Sequence, residues 1–179
     1  MTSPAWILLA AGVAVLLGAW AGWTASRLAQ LERRVDRART VLETQLRRRS
    51  ALAGEVAATG RAALGPERAH RLSRAATAAR LPWTPDRELA ENQLGRELRD
   101  LAPDSAELPP ALVEDLAGTM QRVALARRFY NDAVRDTREL RGRRTARLLR
   151  LHARRPLPRF FDIDDSPGRD GDPAGGSGA

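Results

Sequence analysis

AWILLAAGVAVLLGAWAGWTASRLAQLERRVDRARTVLETQLRRRSALAGEVA, residues Ala5–Ala57, decides how the chain folds, because one helical pattern passes without a breaker from an apolar run into an amphipathic seam. Its first part, Ala5 to Ala25, holds 21 residues without a charge. As a helix rising about 1.5 Å per residue, such a run covers the roughly 30 Å hydrocarbon core of a bilayer. Trp6 stands near one end and Trp20 with Trp23 near the other, where indole rings favour the water interface. A cleaved signal peptide would need Lys or Arg ahead of a shorter apolar core. Neither is present, so a retained transmembrane anchor is the expectation. Arg27, Arg33, Arg34, Arg37 and Arg39 follow the run, and only the uncharged Met1–Pro4 precedes it. By the positive-inside tendency the N-terminus lies outside and the bulk of the chain is cytoplasmic, at the plasma membrane. Ala14, Gly18 and Gly22 share a face at four-residue spacing, a pattern that permits close helix approach but is common in Ala-rich spans.

Beyond the run, Leu28, Leu31, Val35, Ala38, Leu42, Gln45, Arg49, Leu52 and Val56 alternate steps of three and four, the seam of a helix packed on other helices. No Pro or Gly lies between Gly22 and Gly54, so the membrane helix is free to continue into this seam. Gln45 and Arg49 either find partners across a bundle, fixing its register, or are half-exposed by a small rotation. Gly60 to Pro66 reads as a turn, with a second helix from Pro66 to about Arg80. Leu81–Asp86 breaks the chain, with Thr84 as N-cap and Pro85 at the first helical position. The next helix reaches about Ala102, with Leu89, Leu94, Leu98 and Leu101 as its apolar residues. From Pro110 to Leu140 a long, coiled-coil-like seam runs through Leu112, Leu116, Thr119, Val123, Ala126, Tyr130, Ala133, Thr137 and Leu140. No alternating β-branched run occurs. The expected class is all-α: a single N-terminal transmembrane helix, then an elongated antiparallel three- or four-helix bundle. The expected segments are 1–26 (tail and membrane helix), 27–141 (bundle), 142–161 (basic amphipathic segment) and 162–179 (disordered acidic tail).

The 179 residues include no Cys, 2 His, 22 acidic residues and 30 basic ones, all of them Arg, for a net charge of +8. Without Cys there is no disulfide or thiolate metal site, and two distant histidines make a poor metal pair. No cofactor site is expected. His70 and His152 sit among arginines and read as surface residues, while Gly54, Gly60 and Gly65 are isolated and cradle no phosphate. No catalytic constellation emerges, which favours a protein without enzymatic activity. Charge is uneven: residues 142–161 carry seven Arg and no acid, and the last 18 residues carry five Asp and one Arg. Arg143, Arg144, Arg147, Arg150, Arg154 and Arg155 lie among Leu148, Leu149 and Leu151, a composition that suits anionic headgroups as well as a plain solvated face. Nucleic acid is the disfavoured partner, because no ladder of stacking aromatics accompanies the arginines. The Gly-, Pro- and Asp-rich tail has the composition of a disordered segment.

Three stretches resemble the LemA family of bacterial membrane-anchored helical proteins. Leu31–Ala57 is similar to the family's first cytoplasmic helix, with its Gln-Leu-basic-Arg-Arg run at Gln45–Arg49. LAGTMQRVALARRFYNDAVRD, Leu116–Asp136, places Arg122, Ala126, Arg127, Tyr130, Asn131 and Val134 where the family has Arg, Ala-Arg, Tyr-Asn and Val. Glu91–Leu101 resembles the middle helix. The chain departs from the pattern at Arg39 for an aromatic, Gly54 for Pro, Met120-Gln121 for an acid before the Asn-Arg pair, and Thr137-Arg138 for a second Tyr-Asn. The resemblance implies a helical domain on one membrane anchor and no particular reaction. Gln45, Arg49, Arg122, Arg127, Tyr130 and Asn131 then admit two readings. One is a structural polar cluster, with the Tyr130 hydroxyl reaching a partner such as Arg49; the other is an anion site built from guanidinium groups. The function expected is an interaction or scaffolding module, binding protein partners or its own copy. The alternative is a tethered binder of anionic lipid or polyanion acting through residues 142–161.

Overall fold

The computed structural model describes residues 4–101, 107–142 and 156–164. Among the described residues five helices form: α1 Pro4–Thr59, α2 Arg61–Leu64, α3 Pro66–Ala78, α4 Pro85–Arg99 and α5 Pro110–Gly142. No strand occurs among the described residues. Helix α1 is one element of 56 residues, as the absence of a breaker between Gly22 and Gly54 allows. It stops at Thr59, and the amide of Gly60 still donates to the Val56 carbonyl at 2.8 Å. A side chain at Gly60 would collide with the Leu108 side chain and the Val56 carbonyl, so the corner is sized for glycine. Between α2 and α3, Gly65 holds φ at +78°, a conformation costly for any residue with a Cβ. Pro66 then starts α3 with Glu67 in its first turn, which suits the positive end of the helix dipole.

Helix α4 begins at Pro85 as expected, yet Thr84 does not cap it: its hydroxyl is 3.4 Å from the Pro82 carbonyl. Asp86 and Glu88 in the first turn and Arg96 and Arg99 in the last complement the dipole instead. The seam of α5 is buried at Leu112, Thr119, Val123, Ala126, Tyr130, Ala133 and Thr137, and half-buried at Leu116 and Leu140. Leu89, expected among the apolar positions of α4, is exposed instead.

Contacts divide the described chain into two compact units, one drawn from residues 1–41 and 127–160, the other from 42–126 and 161–179. In the first, Trp6, Ile7, Leu8, Leu9, Val13, Val15, Leu16 and Leu17 are all exposed. This part of α1 is long and apolar enough to cross a membrane, with mean hydropathy 2.0 over an 18-residue window of which none is buried. Burial starts at Thr24, Leu28 and Val35. Farther along α1, Glu32 pairs with Arg141, and Arg34 bridges to Asp136 at 3.0 Å. Residues 156–160 meet the last turns of α5: Arg141 donates to the Pro156 carbonyl at 3.1 Å, and the Arg138 guanidinium lies 5.2 Å from the centre of the Phe160 ring.

The second unit holds a continuous hydrophobic core. Leu52, Val56, Leu64, Leu72, Ala76, Leu94, Leu98, Leu101, Leu108 and Leu112 bring the end of α1, all of α2 to α4 and the start of α5 together. Leucine and alanine supply nearly all of this core, with one aromatic contact at its side: Phe161 is buried and its ring centre is 4.6 Å from that of Trp83. Two residues on, Ile163 is buried as well. The Asp164 amide donates to the Asn92 side chain at 2.8 Å, and Arg99 meets the Asp164 carboxylate at 3.3 Å. The sequence reading begins a disordered acidic tail at Asp162. Among the described residues, Phe161 and Ile163 are instead buried while Asp162 and Asp164 between and after them are exposed, so the packed part of the chain continues to residue 164. Residues 165–179 lie outside the described part.

Candidate functional site

Continuing the α4 seam backwards from Leu101 and Leu98 in steps of three and four gives Leu94, Glu91 and Arg87. Two charged residues therefore occupy core positions, and both are about 1% exposed. Arg49 of α1, one of the polar seam residues found in the sequence, is buried beside them. Its Nη2 donates to Glu91 Oε2 at 2.5 Å and reaches the Glu91 carbonyl at 3.3 Å. Arg87 Nε donates to the other carboxylate oxygen, Oε1, at 3.3 Å. Its Nη1 donates at 2.6 Å to the carbonyl of Leu81, in the break between α3 and α4. One carboxylate thus sits between two guanidiniums.

The cluster's formal charge is +1, and it is incompletely satisfied: Arg49 Nε and Arg87 Nη2 are buried without an acceptor. Gln45 Oε1, one turn before Arg49, is buried without a donor. Burying an ion costs several kcal/mol, of the order of what a partner in good geometry returns. Such a cluster therefore contributes less to net stability than to holding α1 and α4 in one alignment. Chemically it offers fixed positive charge and fully engaged carboxylate oxygens.

The other sequence-derived residues have partners of their own. In the second unit, Arg122 donates to the Thr119 hydroxyl at 2.8 Å, across the space that Gly118 leaves open. In the first, the Tyr130 hydroxyl donates to the Arg159 carbonyl at 2.8 Å. The tyrosine ring is buried on the α5 seam, as expected, and its hydroxyl fastens the residues after α5. Arg127 and Asn131 are half-buried and engaged in contacts of their own. Arg49 is paired with Glu91 and Tyr130 with a carbonyl, so the polar partner expected for Tyr130 includes main chain. Arg143, Arg144, Arg147, Arg150, Arg154 and Arg155 lie outside the described residues. Among the described residues no group of three or more His, Asp or Glu side chains is placed to hold a metal. Comparison with models of known protein families and with curated protein sequences finds no match.

Proposed function

We propose that this chain is a non-enzymatic single-pass membrane protein of LemA type, whose antiparallel helical bundle stands in the cytoplasm as an interaction or scaffolding module. The observation that carries this reading is the contrast within α1. Its residues 5–20 are exposed throughout, whereas the same helix is packed from Leu28 onward. These sixteen unpacked residues, within a run of 21 without a charge, suit lipid as their solvent. The arginines after Trp23 favour an orientation with the N-terminus outside. The Arg49–Glu91–Arg87 cluster, with both carboxylate oxygens bonded to guanidiniums, fits a structural role better than a catalytic one. Its partners in this reading are other proteins or a second copy.

The chain has no Cys, so single cysteines report topology directly. Thr2→Cys is labelled in intact cells by a membrane-impermeant maleimide, and Ser73→Cys only after lysis; the reverse pattern refutes the orientation. Carbonate at high pH leaves the full chain in the pellet, and its release refutes the anchor. Crosslinked pull-down from native membrane, with and without residues 142–161, separates the bundle from the Arg-rich segment as the binding surface. Recovery of the same proteins from both supports the bundle.

A further inference from the structure

One face of α1 begins at the end of the apolar run and is lined by Trp23, Ser26, Arg27, Gln30, Arg34 and Arg37, which border an open groove of about 540 Å³. Their three- and four-residue spacing puts them on a single stripe of the helix. Trp23 is exposed, and the Arg27 guanidinium lies over its ring, 5.6 Å from the centre. The acids of the same stretch are turned elsewhere: Glu32 and Asp36 line a different cavity with Thr137 and Arg141, where Glu32 pairs with Arg141. Arg34 shares its charge with the half-exposed Asp136. A cationic stripe with its acids segregated thus starts within one turn of the last interfacial tryptophan.

We propose that this stripe seats the phosphate of an anionic phospholipid, with Arg27 as the direct ligand and Gln30 as a second donor. The inference rests on the anchor reading above. Helical rise orders the contributions. With Trp23 at the hydrocarbon edge, Arg27 stands about 6 Å farther out, within a headgroup layer roughly 5–8 Å thick. Gln30, about 10 Å out, lies just beyond that layer, and its side chain, tilted toward the helix N-terminus, reaches back to it. Arg34 and Arg37 follow at about 16 and 21 Å, where the surface potential fades over a Debye length of about 8 Å. The indole beside Arg27 steadies its exposed guanidinium at the level of the phosphate. Nucleic acid or an acidic protein would not require the patch to begin at the bilayer edge.

The full chain, solubilised in detergent with equal phosphatidylglycerol and phosphatidylcholine, is assayed by native mass spectrometry for retained lipid at low and high salt. Preferential retention of phosphatidylglycerol is expected, reduced roughly fivefold by Arg27→Gln and much less by Arg37→Gln, in line with about 1 kcal/mol per basic residue at the surface. Equal retention of both lipids overturns the proposal, as does an Arg37→Gln effect equal to that of Arg27→Gln. Selectivity that survives Arg27→Gln but disappears when Arg143, Arg144, Arg147 and Arg150 are changed to Gln also overturns it and assigns the lipid to the Arg-rich segment. Carbonate extraction is read first. Release of the chain removes the anchor and this inference together, whereas a chain that stays in the membrane and shows no lipid selectivity removes the inference alone.

Discussion

Glu91→Gln is the sharpest perturbation of the buried cluster. The amide nearly matches the carboxyl in shape, so the volume at this buried position is kept, while the negative charge between Arg49 and Arg87 is lost. Both guanidiniums are nearly fully buried, and each has a nitrogen already lacking an acceptor. Removing one partner of a buried ion pair costs about 3–5 kcal/mol because the other charge stays behind. Here one substitution orphans two charges, and the upper half of that range is expected. Against a stability of about 5–15 kcal/mol for a domain, the variant is marginally folded. With about 2–4 °C of Tm per kcal/mol at this chain size, the midpoint falls by roughly 8–20 °C. The measurement is thermal unfolding of the full chain in detergent, followed by circular dichroism at 222 nm, with the anchor helix as a constant helical background. Arg47→Gln is the control, because Arg47 pairs with Glu43 at 2.6 Å with its own side chain largely exposed, and exposed pairs contribute under about 1 kcal/mol. A Glu91→Gln midpoint within about 2 °C of the parent would refute the argument that the carboxylate is required by buried charge.

Gly60→Ala is expected to destabilise by about 1–3 kcal/mol through overpacking against Leu108, measured as a shift in denaturant midpoint; Leu108→Ala, itself costly as a core truncation, is expected to cost less in the Gly60→Ala background than in the parent. Phe161→Ala removes a buried ring and its contact with Trp83, at a cost of about 3 kcal/mol or more if residues 161–164 are fully docked; near-ultraviolet dichroism should weaken and proteolysis near residue 160 should accelerate. Tyr130→Phe deletes the hydroxyl and with it the bond to the Arg159 carbonyl, so a loss of about 0.5–1.5 kcal/mol is expected, with hydrogen exchange increasing in residues 156–160 before the rest of the chain.

Helical character and the apolar run were readable because both are local: spacing of three and four marks a helix, and twenty uncharged residues mark a span. The break between helices at Gly60–Pro66 and the starts of α4 and α5 at prolines were readable for the same reason, although that break holds the short helix α2, Arg61–Leu64, where a turn alone is expected. The heart of the candidate site was not. Arg87 and Glu91 continue the α4 seam at the correct spacing, but a search for apolar periodicity selects Leu89 and passes over charged residues at core positions. Arg49 stood out because a polar residue interrupted an otherwise apolar seam; the same rule applied to α4 would have found its two partners. Phe161, Ile163 and Asp164 escaped for a different reason. A four-residue segment has too few apolar positions for periodicity, and its partners Trp83, Asn92 and Arg99 are some seventy residues away in sequence.

Why a leucine- and alanine-rich core keeps three buried charges becomes clear from what such a core fails to specify. Small, similar side chains at every third or fourth position allow α4 to slide along α1 by one turn, about 5.4 Å, with little change in apolar contact. The bonds from Arg49 to the carboxylate and the Glu91 carbonyl do not allow it, since hydrogen bonds are lost beyond about 3.5 Å. The bond from Arg87 to the Leu81 carbonyl likewise fixes where α4 starts. The cluster therefore selects one alignment at some expense of stability, and the two effects separate in one variant. Replacing Arg49, Arg87 and Glu91 together by Leu, Met and Leu removes all three charges and their desolvation. Stability is then expected to equal or exceed the parent's, by up to about 4 kcal/mol, while amide resonances from α4 broaden or double in nuclear magnetic resonance spectra as registers interconvert. A triple variant that is stable and gives a single sharp set of α4 resonances would show that apolar packing alone sets the alignment, and the charges would then have to be kept for something they bind.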